Sequence, residues 1–316
     1  MESDSNIKNS LFCFGYGYCC DYLGLNLQKS DNWRVAGTTR DKSKRELMKE
    51  RGIKSYLFDY QKPLVDPQLF LRDVTHILIS TPPSDMGDPT FLMHAEDILN
   101  APNLKWVGYL SSTAVYGNRD GEMVDELSEV RPTSQRGTRR KTAEEQWRTL
   151  GRTEGLPIHT FRIAGIYGPS RSALDTVRAR AARRIVKEGQ VFSRVHVDDI
   201  VNVLKASMLD PDPGAVYNIC DDEAAPSHEV ITYACELLDI EPPPLIPFEE
   251  ANLPPIAQSF YLDNKRTSNE KIKRELGVKL LHPDFKSGLR ACLEGEKQIK
   301  RNFRSNWNAG SLAAQE

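Results

Sequence analysis

The chain lacks the features that would tie it to a membrane, a metal or a nucleic acid. Its longest apolar stretches, such as Ile77–Ile79, are strand-sized, which excludes a membrane-spanning segment. Cysteine is sparse, at 13, 19, 20, 220, 235 and 292. The adjacent Cys19-Cys20 pair and the loose spacing of the others match no disulfide framework and no zinc module, so free thiols and no metal are expected. Net charge is almost absent: 42 Lys+Arg face 44 Asp+Glu, leaving −2. A general nucleic-acid binder needs a basic excess. The first six residues, Met1-Glu2-Ser3-Asp4-Ser5-Asn6, have neither a basic cluster nor an apolar run, which reads against a signal peptide and for the cytoplasm. There is no internal repeat or low-complexity run. What remains is 316 residues, 39% hydrophobic and 27% charged, enough for a sizeable core and too apolar for disorder.

Strand-length apolar runs alternate with helix-period segments through the first two-thirds. Strands are expected at Leu11–Phe14, Arg34–Gly37, Ser55–Phe58, His76–Ile79, Trp106–Leu110 and His159–Ile163, with helices including Pro89–Leu99 and Ser134–Leu150. This spacing implies βαβ units: an α/β fold with a doubly wound parallel (Rossmann) sheet. After residue 165 the pattern changes. A basic helix is expected over Ser172–Lys187, then short strands near Val191–Val195 and Ala215–Ile219. The Pro-rich stretch from Glu241 to Pro255 reads as a surface loop or lobe connection. Two helices, Ser268–Leu276 and Phe285–Lys300, close the chain.

The first strand runs into Gly15-Tyr16-Gly17-Tyr18-Cys19-Cys20. In a dinucleotide site the first glycine makes the tight turn and the second lets backbone approach a pyrophosphate at the helix N-terminus. Cys20 holds the third glycine's place, where a small residue suffices for helix–strand packing. The alternative is a structural turn and nothing more. An NAD site would carry an acid at the end of strand two to hold the ribose hydroxyls. Here Thr38-Thr39-Arg40 stands there, followed by Lys42 and Lys44. Arg40 and Thr39 suit a 2′-phosphate, hence NADP, with NAD as the other possibility; otherwise they are solvated loop charges. Asp59 either meets an adenine amino group or caps a turn. Ser80-Thr81-Pro82 ends strand four, where the cofactor's ribose would pass. Gly15, Gly17, Tyr18 and Cys20 complete this expected cofactor set.

Four further segments carry a family resemblance. Ser111-Ser112-Thr113-Ala114-Val115-Tyr116-Gly117, Arg162 through Tyr167-Gly168-Pro169, His196-Val197-Asp198-Asp199, and Tyr217-Asn218-Ile219 resemble, in order, motifs of the extended short-chain dehydrogenase/reductases, the NAD-dependent epimerase/dehydratase family. The resemblance implies a Rossmann domain (8–168 plus about 190–222), a smaller substrate lobe (about 169–189 and 223–300), and flexible tails at 1–7 and 301–316. It also implies Ser112 at the reacting carbonyl, with Thr113 beside the substrate.

One departure stands out. The family carries Tyr-x-x-x-Lys about two dozen residues after that serine, the Tyr being the general acid/base. This chain reads Arg136-Gly137-Thr138-Arg139-Arg140-Lys141-Thr142-Ala143-Glu144. The register that keeps Gly137 and Glu144 on pattern puts Arg136 at the Tyr and Arg140 at the Lys; a register one later keeps Lys141 but yields no tyrosine either. Arginine cannot exchange a proton near neutrality, although it binds anions through its forked donors. The chain thus resembles the atypical members, the uncharacterised YeeZ-like branch above all, a likeness that Asn264-Lys265-Arg266-Thr267-Ser268-Asn269 extends to almost the whole length. Tyr116, Tyr167 and His196 are the replacement proton donors to consider; Asp198 and Asp199 are expected to cap a helix. On the expected basic helix, Arg180, Arg183, Arg184 and Lys187 fall three or four apart. Arg183 and Arg184, with Arg194, either meet an anionic substrate or form a solvated or dimer face. The expectation is an NAD(P)-binding oxidoreductase or nucleotide-sugar epimerase/dehydratase-like enzyme, monomer or homodimer, acting on a small anionic molecule. The alternative is an inactive NADP(H)-binding sensor or scaffold.

Overall fold

The structure, a computed structural model, describes residues 9–312 other than Asp31, with side chains to residue 298. From the N-terminus come β1 (Asn9–Phe14), α1 (Tyr18–Leu27), β2 (Trp33–Thr39), α2 (Lys42–Glu50), β3 (Lys54–Leu57), α3 (Pro67–Leu71), β4 (His76–Ile79), α4 (Pro89–Leu99) and β5 (Trp106–Ser112). A short β6 (Met123–Val124) precedes α5 (Gln135–Glu154) and β7 (Ile158–Ile163). The remainder is β8 (Gly165–Tyr167), α6 (Ala173–Arg178), β9 (Arg184–Val186), β10 (Arg194–His196), α7 (Val197–Leu209), β11 (Val216–Ile219), α8 (Ser227–Leu238), β12 (Leu245–Pro247), α9 (Pro255–Tyr261), β13 (Arg266–Thr267), α10 (Glu270–Glu275) and α11 (Phe285–Leu312).

Seven strands form one parallel sheet in the order β11-β7-β5-β4-β1-β2-β3. This is the expected doubly wound α/β fold. Strand β1 shows why: successive side chains point to opposite faces. Leu11 and Cys13 enter the core beneath α1 and α7, and Phe12 and Phe14 the core on the α4 and α5 side. Both faces are apolar, so the sheet is buried on both sides, as parallel sheets require. The order reverses between β1 and β4, and ligands of such sheets bind at the C-terminal strand ends beside that point. Gly15 and Ser80 lie there.

The second half departs from expectation between 172 and 187. The helix α6 stops at Arg178, and Arg180 takes a left-handed backbone (φ 54°). Residues 184–186 are extended and pair in parallel with Leu245–Pro247 of the Pro-rich stretch. Arginines three or four apart supply no apolar stripe, whereas Ile185 is buried with Ala251 and Tyr261 in a local cluster. Tertiary pairing decides the conformation here. Helices α6, α8 and α11 form a separate core through Leu174, Val230, Ala234, Phe285 and Leu289. Helix α11 runs to Leu312, past the expected tail boundary at 301; the expected N-terminal tail, 1–7, and residues 313–316 lie outside the described residues. Among the described residues no helix is long and apolar enough to cross a membrane.

Candidate active site

The turn after β1 has the geometry its glycines predict. Gly15 has φ 80°, and a Cβ there would come within 3.0 Å of the Thr81 backbone nitrogen, so both conformation and space demand glycine. Gly17 is different. A Cβ there would meet nothing nearer than the Gly15 carbonyl at 3.8 Å. Gly17 is the N-cap of α1 and has no side-chain cap. An open space over a helix N-terminus is the cradle a pyrophosphate needs, so the residues fit a dinucleotide. Cys20 is fully buried, its thiol donating to the Gly15 carbonyl at 3.5 Å. Tyr18 reaches across the chain, its hydroxyl donating to the Pro169 carbonyl at 2.9 Å.

The hydroxyls near the end of β2 are engaged locally. Thr38 Oγ1 accepts from Gly15 N–H (2.8 Å) and Thr39 Oγ1 from Asp41 N–H (3.2 Å). Asp41, the nearest carboxylate in sequence, caps α2 by accepting from Ser43 and Lys44 N–H. Arg40 is exposed. Asp59 Oδ1 accepts from Gln61 N–H at 2.8 Å, a turn cap. Thr81 is buried against Thr90 (2.7 Å between hydroxyls) at the start of α4, which pins the β4 end beneath Gly15.

A cavity of about 1030 Å³ continues from this edge. Pro82, Pro83, Ser112, Thr113, Arg136 and Arg140 line one side, and Arg194, Phe260, Tyr261 and Lys265 are among the residues of the other. Ser112 ends β5 and caps the following 3-10 turn, its hydroxyl oxygen accepting from Ala114 N–H at 3.2 Å. Gly137 lets α5 close on that turn, since a Cβ there would fall 2.6 Å from the Ala114 carbonyl. Ser134 caps α5 by accepting from Gly137 N–H at 3.1 Å. One turn of α5 thus carries Arg136 and Arg140 into the cavity. The Arg136 guanidinium lies 4.1 Å over the Phe260 ring, and Arg140 donates to the Leu110 carbonyl at 2.7 Å. Lys141 does not line the cavity; it faces the exposed Glu145 at 3.8 Å.

Behind this wall Arg162 and Glu144 form a buried pair, 2% and 3% exposed, with the closest contact at 2.9 Å. Arg162 also donates to the Tyr116 hydroxyl (3.0 Å), which donates to Asn218 Oδ1 (2.7 Å). The network ties α5 to β7 and β11.

The sequence profile of the NAD dependent epimerase/dehydratase family matches residues 92–220. A functionally unknown conserved protein from Silicibacter pomeroyi DSS is 45% identical, with 91% of this chain and 99% of that one aligned at a TM-score of 0.84. The chain belongs to the NAD dependent epimerase/dehydratase family. The UDP-glucuronic acid 4-epimerase from Bacillus cereus, solved with NAD, shares the fold at 16% identity, covering 92% of this chain and 99% of its own, with a TM-score of 0.72. A trifunctional UDP-glucose 4,6-dehydratase/UDP-4-keto-6-deoxy-D-glucose 3,5-epimerase/UDP-4-keto-L-rhamnose-reductase from Arabidopsis thaliana is 25% identical over 186 residues, 54% of this chain. The match spans only 28% of that relative's length.

As an epimerase/dehydratase family member the chain keeps Ser112 in its cavity but brings none of the three expected replacement donors there. Tyr116 is fully buried in the Arg162 network, and burial pushes its phenol up to about 12. Tyr167 is buried too, its hydroxyl donating to the Asp284 carbonyl at 3.3 Å. His196 caps α7 and packs at a tilt against His282, ring centroids 4.0 Å apart; burial, aided by His282, lowers it to about 4. With Asp198 these histidines place ligand-type atoms within 4.8 Å of one another, away from the cavity lining. Asp199 instead accepts from Leu281 and His282 N–H at 2.7 and 3.0 Å. Arg183 and Arg184 do not line the cavity. They donate to the Ala251 and Pro243 carbonyls, because the segment is extended and packs on the Pro-rich loop. Arg194 does line it while donating to the Phe192 and Ala225 carbonyls at 2.8 and 2.7 Å. Sequence reasoning missed the α9–β13 wall (Phe260, Tyr261, Asp263 and Lys265). Only the Asn264–Asn269 likeness pointed toward it.

Proposed function

We infer that this chain is a nicotinamide-dinucleotide-dependent enzyme of the epimerase/dehydratase type, acting on a small anionic substrate such as a nucleotide-linked sugar acid. The observation that carries this is the cavity's charge. Among the described residues, Arg136, Arg139, Arg140, Arg171, Arg194 and Lys265 line it against one carboxylate, Asp263. Such walls concentrate anions and hold carboxylate or phosphate groups through paired N–H donors. Gly15, Gly17 and the N-terminus of α1 would hold the dinucleotide, which supplies hydride transfer when bound. Arg40 would favour the 2′-phosphate of NADP; with the Thr38 and Thr39 hydroxyls engaged locally, that preference rests on the guanidinium. The Ser112 hydroxyl accepts from its own turn, which leaves its proton free to donate to a substrate carbonyl. Arg136 would anchor the anion and cannot move the proton.

The absence of a tyrosine at 136 keeps a second reading in view, a dinucleotide-binding sensor without turnover. Titration of tryptophan fluorescence with NADPH and NADH, followed by UDP-glucuronic acid and a measurement of reduced nicotinamide, separates the two. Tighter NADPH binding, lost about tenfold or more in Arg40→Asp, is expected for a charge-assisted contact. Binding without any redox change on a panel of anionic sugars would favour the sensor. No binding of either dinucleotide would refute both.

A further inference from the structure

We propose that Lys265 is the proton-exchanging group of this cavity, standing in function where the family tyrosine is missing. The assignment rests on the enzyme reading above and goes beyond it by naming the residue that moves the proton.

The placement is built by backbone. The residue before it, Asn264, is bonded on several sides: its carbonyl accepts from Arg119 and Gly121 N–H (2.9 and 3.1 Å), and its N–H donates to Asn118 Oδ1 (2.8 Å). Its side chain accepts from Val191 N–H (3.2 Å) and donates to the Gly189 carbonyl (3.0 Å). The residues after it, Arg266 and Thr267, pair with Met123 and Val124. Between these anchors Lys265 lines the same cavity as Ser112, Thr113 and Arg136. Its ammonium donates to the Gly117 carbonyl at 3.0 Å. Gly117 closes the 3-10 turn that Ser112 opens, so the amine is tied to the serine's own turn.

Elimination favours the same residue. Among the described residues lining the cavity, the ionisable groups are five arginines, Asp263, Tyr261 and Lys265. Arginine holds its proton at any working pH. Burial pushes the Tyr261 phenol up, away from neutrality. The Asp263 carboxylate accepts from the Thr133 hydroxyl and faces Lys265 at 3.6 Å. Lys265 is 10% exposed, and burial lowers its pKa below the ordinary lysine value, with Asp263 opposing the shift. An ammonium has three donors. Gly117 takes one and Asp263 sits at long range to another, which leaves one for a ligand. In the reducing direction the ammonium gives its proton to the substrate's carbonyl oxygen while the carbon takes hydride from the reduced nicotinamide dinucleotide. The amine left behind takes the proton back from the hydroxyl in reverse.

Competitive labelling of the whole protein with trace acetic anhydride, mapped by peptide mass spectrometry across a pH series, reads this without turnover. The reagent is neutral, so the cationic walls do not bias it. Lys265 should label with a pH midpoint below that of the exposed Lys42 and Lys49, and UDP-glucuronic acid with NADPH should protect it severalfold while leaving those two unchanged. A midpoint equal to theirs, no labelling, or no protection overturns the assignment. Dinucleotide binding is measured separately by fluorescence. A shifted, protected Lys265 in a chain that binds no dinucleotide would sink the enzyme reading alone; an ordinary Lys265 in a chain that binds NADPH would sink the proton assignment alone. Lys265→Arg keeps the charge and cannot exchange the proton. It should retain NADPH affinity and thermal stability yet lose any turnover, and full turnover in this variant would also overturn the proposal.

Discussion

Replacing Glu144 by alanine removes the carboxylate that, among the described residues, is bonded to the Arg162 guanidinium, itself 2% exposed. In the parent, Arg162 Nε donates to both carboxylate oxygens at 3.1 and 3.2 Å, and Nη2 to one of them at 2.9 Å. The pair's net worth against an apolar pair is small, because its attraction is offset by the desolvation of two ions. Breaking it from one side is different. The remaining cation is still desolvated and still donates to the Tyr116 hydroxyl. The expected loss is about 3–5 kcal/mol, a factor of over a hundred in the folding equilibrium. Removing the exposed Asp85 from the half-buried Arg139 makes an internal control, for which about 0.2–1 kcal/mol is expected. Urea unfolding followed by circular dichroism would give both midpoints. Because Glu144 lies on α5 two turns beyond Arg136, the loss should also loosen anion binding in the cavity. A Glu144→Ala cost below about 1 kcal/mol, or one no larger than for Asp85→Ala, would refute the reasoning that burial sets the magnitude.

The two glycines of the first turn should separate folding from binding. Gly15→Ala places a side chain at φ 80° and 3.0 Å from Thr81, so it should cost about 1 kcal/mol or more and lower the melting temperature. Gly17→Ala meets nothing nearer than 3.8 Å and should leave stability within about 0.5 kcal/mol while cutting dinucleotide affinity about tenfold; equal losses of stability in both variants would contradict the open cradle. Asp221 is 3% exposed beside Arg194, and burial pushes its carboxyl up to about 8. A raised acid contributes stability below its unfolded value and loses it as pH rises through the folded one. Asp221→Asn should therefore gain in melting temperature over the parent progressively between pH 4 and 8 and level off above, as thermal scans across pH would show. A constant difference would remove Asp221 as the cause.

Much of the first half was legible because local signals agreed there. His76–Ile79 and Pro89–Leu99 occur at their expected bounds: the one is a fully buried apolar run, the other a helix with Asp88 as its cap and Pro89 at its first position. Gly137 and Glu144 selected a register for Arg136 that matches their packing, Gly137 against Ala114 and Glu144 on Arg162. The stretch from 172 to 187 was misread because a spacing of arginines describes what faces solvent and says nothing of what is buried. Ile185 and its partner strand at 245–247, some 60 residues away, settle it. Tyr116 was plausible as a relay by its distance from Ser112 alone, yet its ring turns inward to a pair of partners on β7 and β11.

The sequence alone determined the sheet, the glycine turn, the serine at the end of β5 and the lack of a tyrosine at 136, since each depends on neighbours a few residues away and on periodicities of two or 3.6. Tertiary structure alone decided which cations face the cavity. Arg183 and Arg184 turn to loop carbonyls, while Arg136, Arg194 and Lys265 converge from α5, β10 and the strand edge at β13. Side-chain direction in the second half is set by contacts between segments distant in sequence, and no local pattern encodes them.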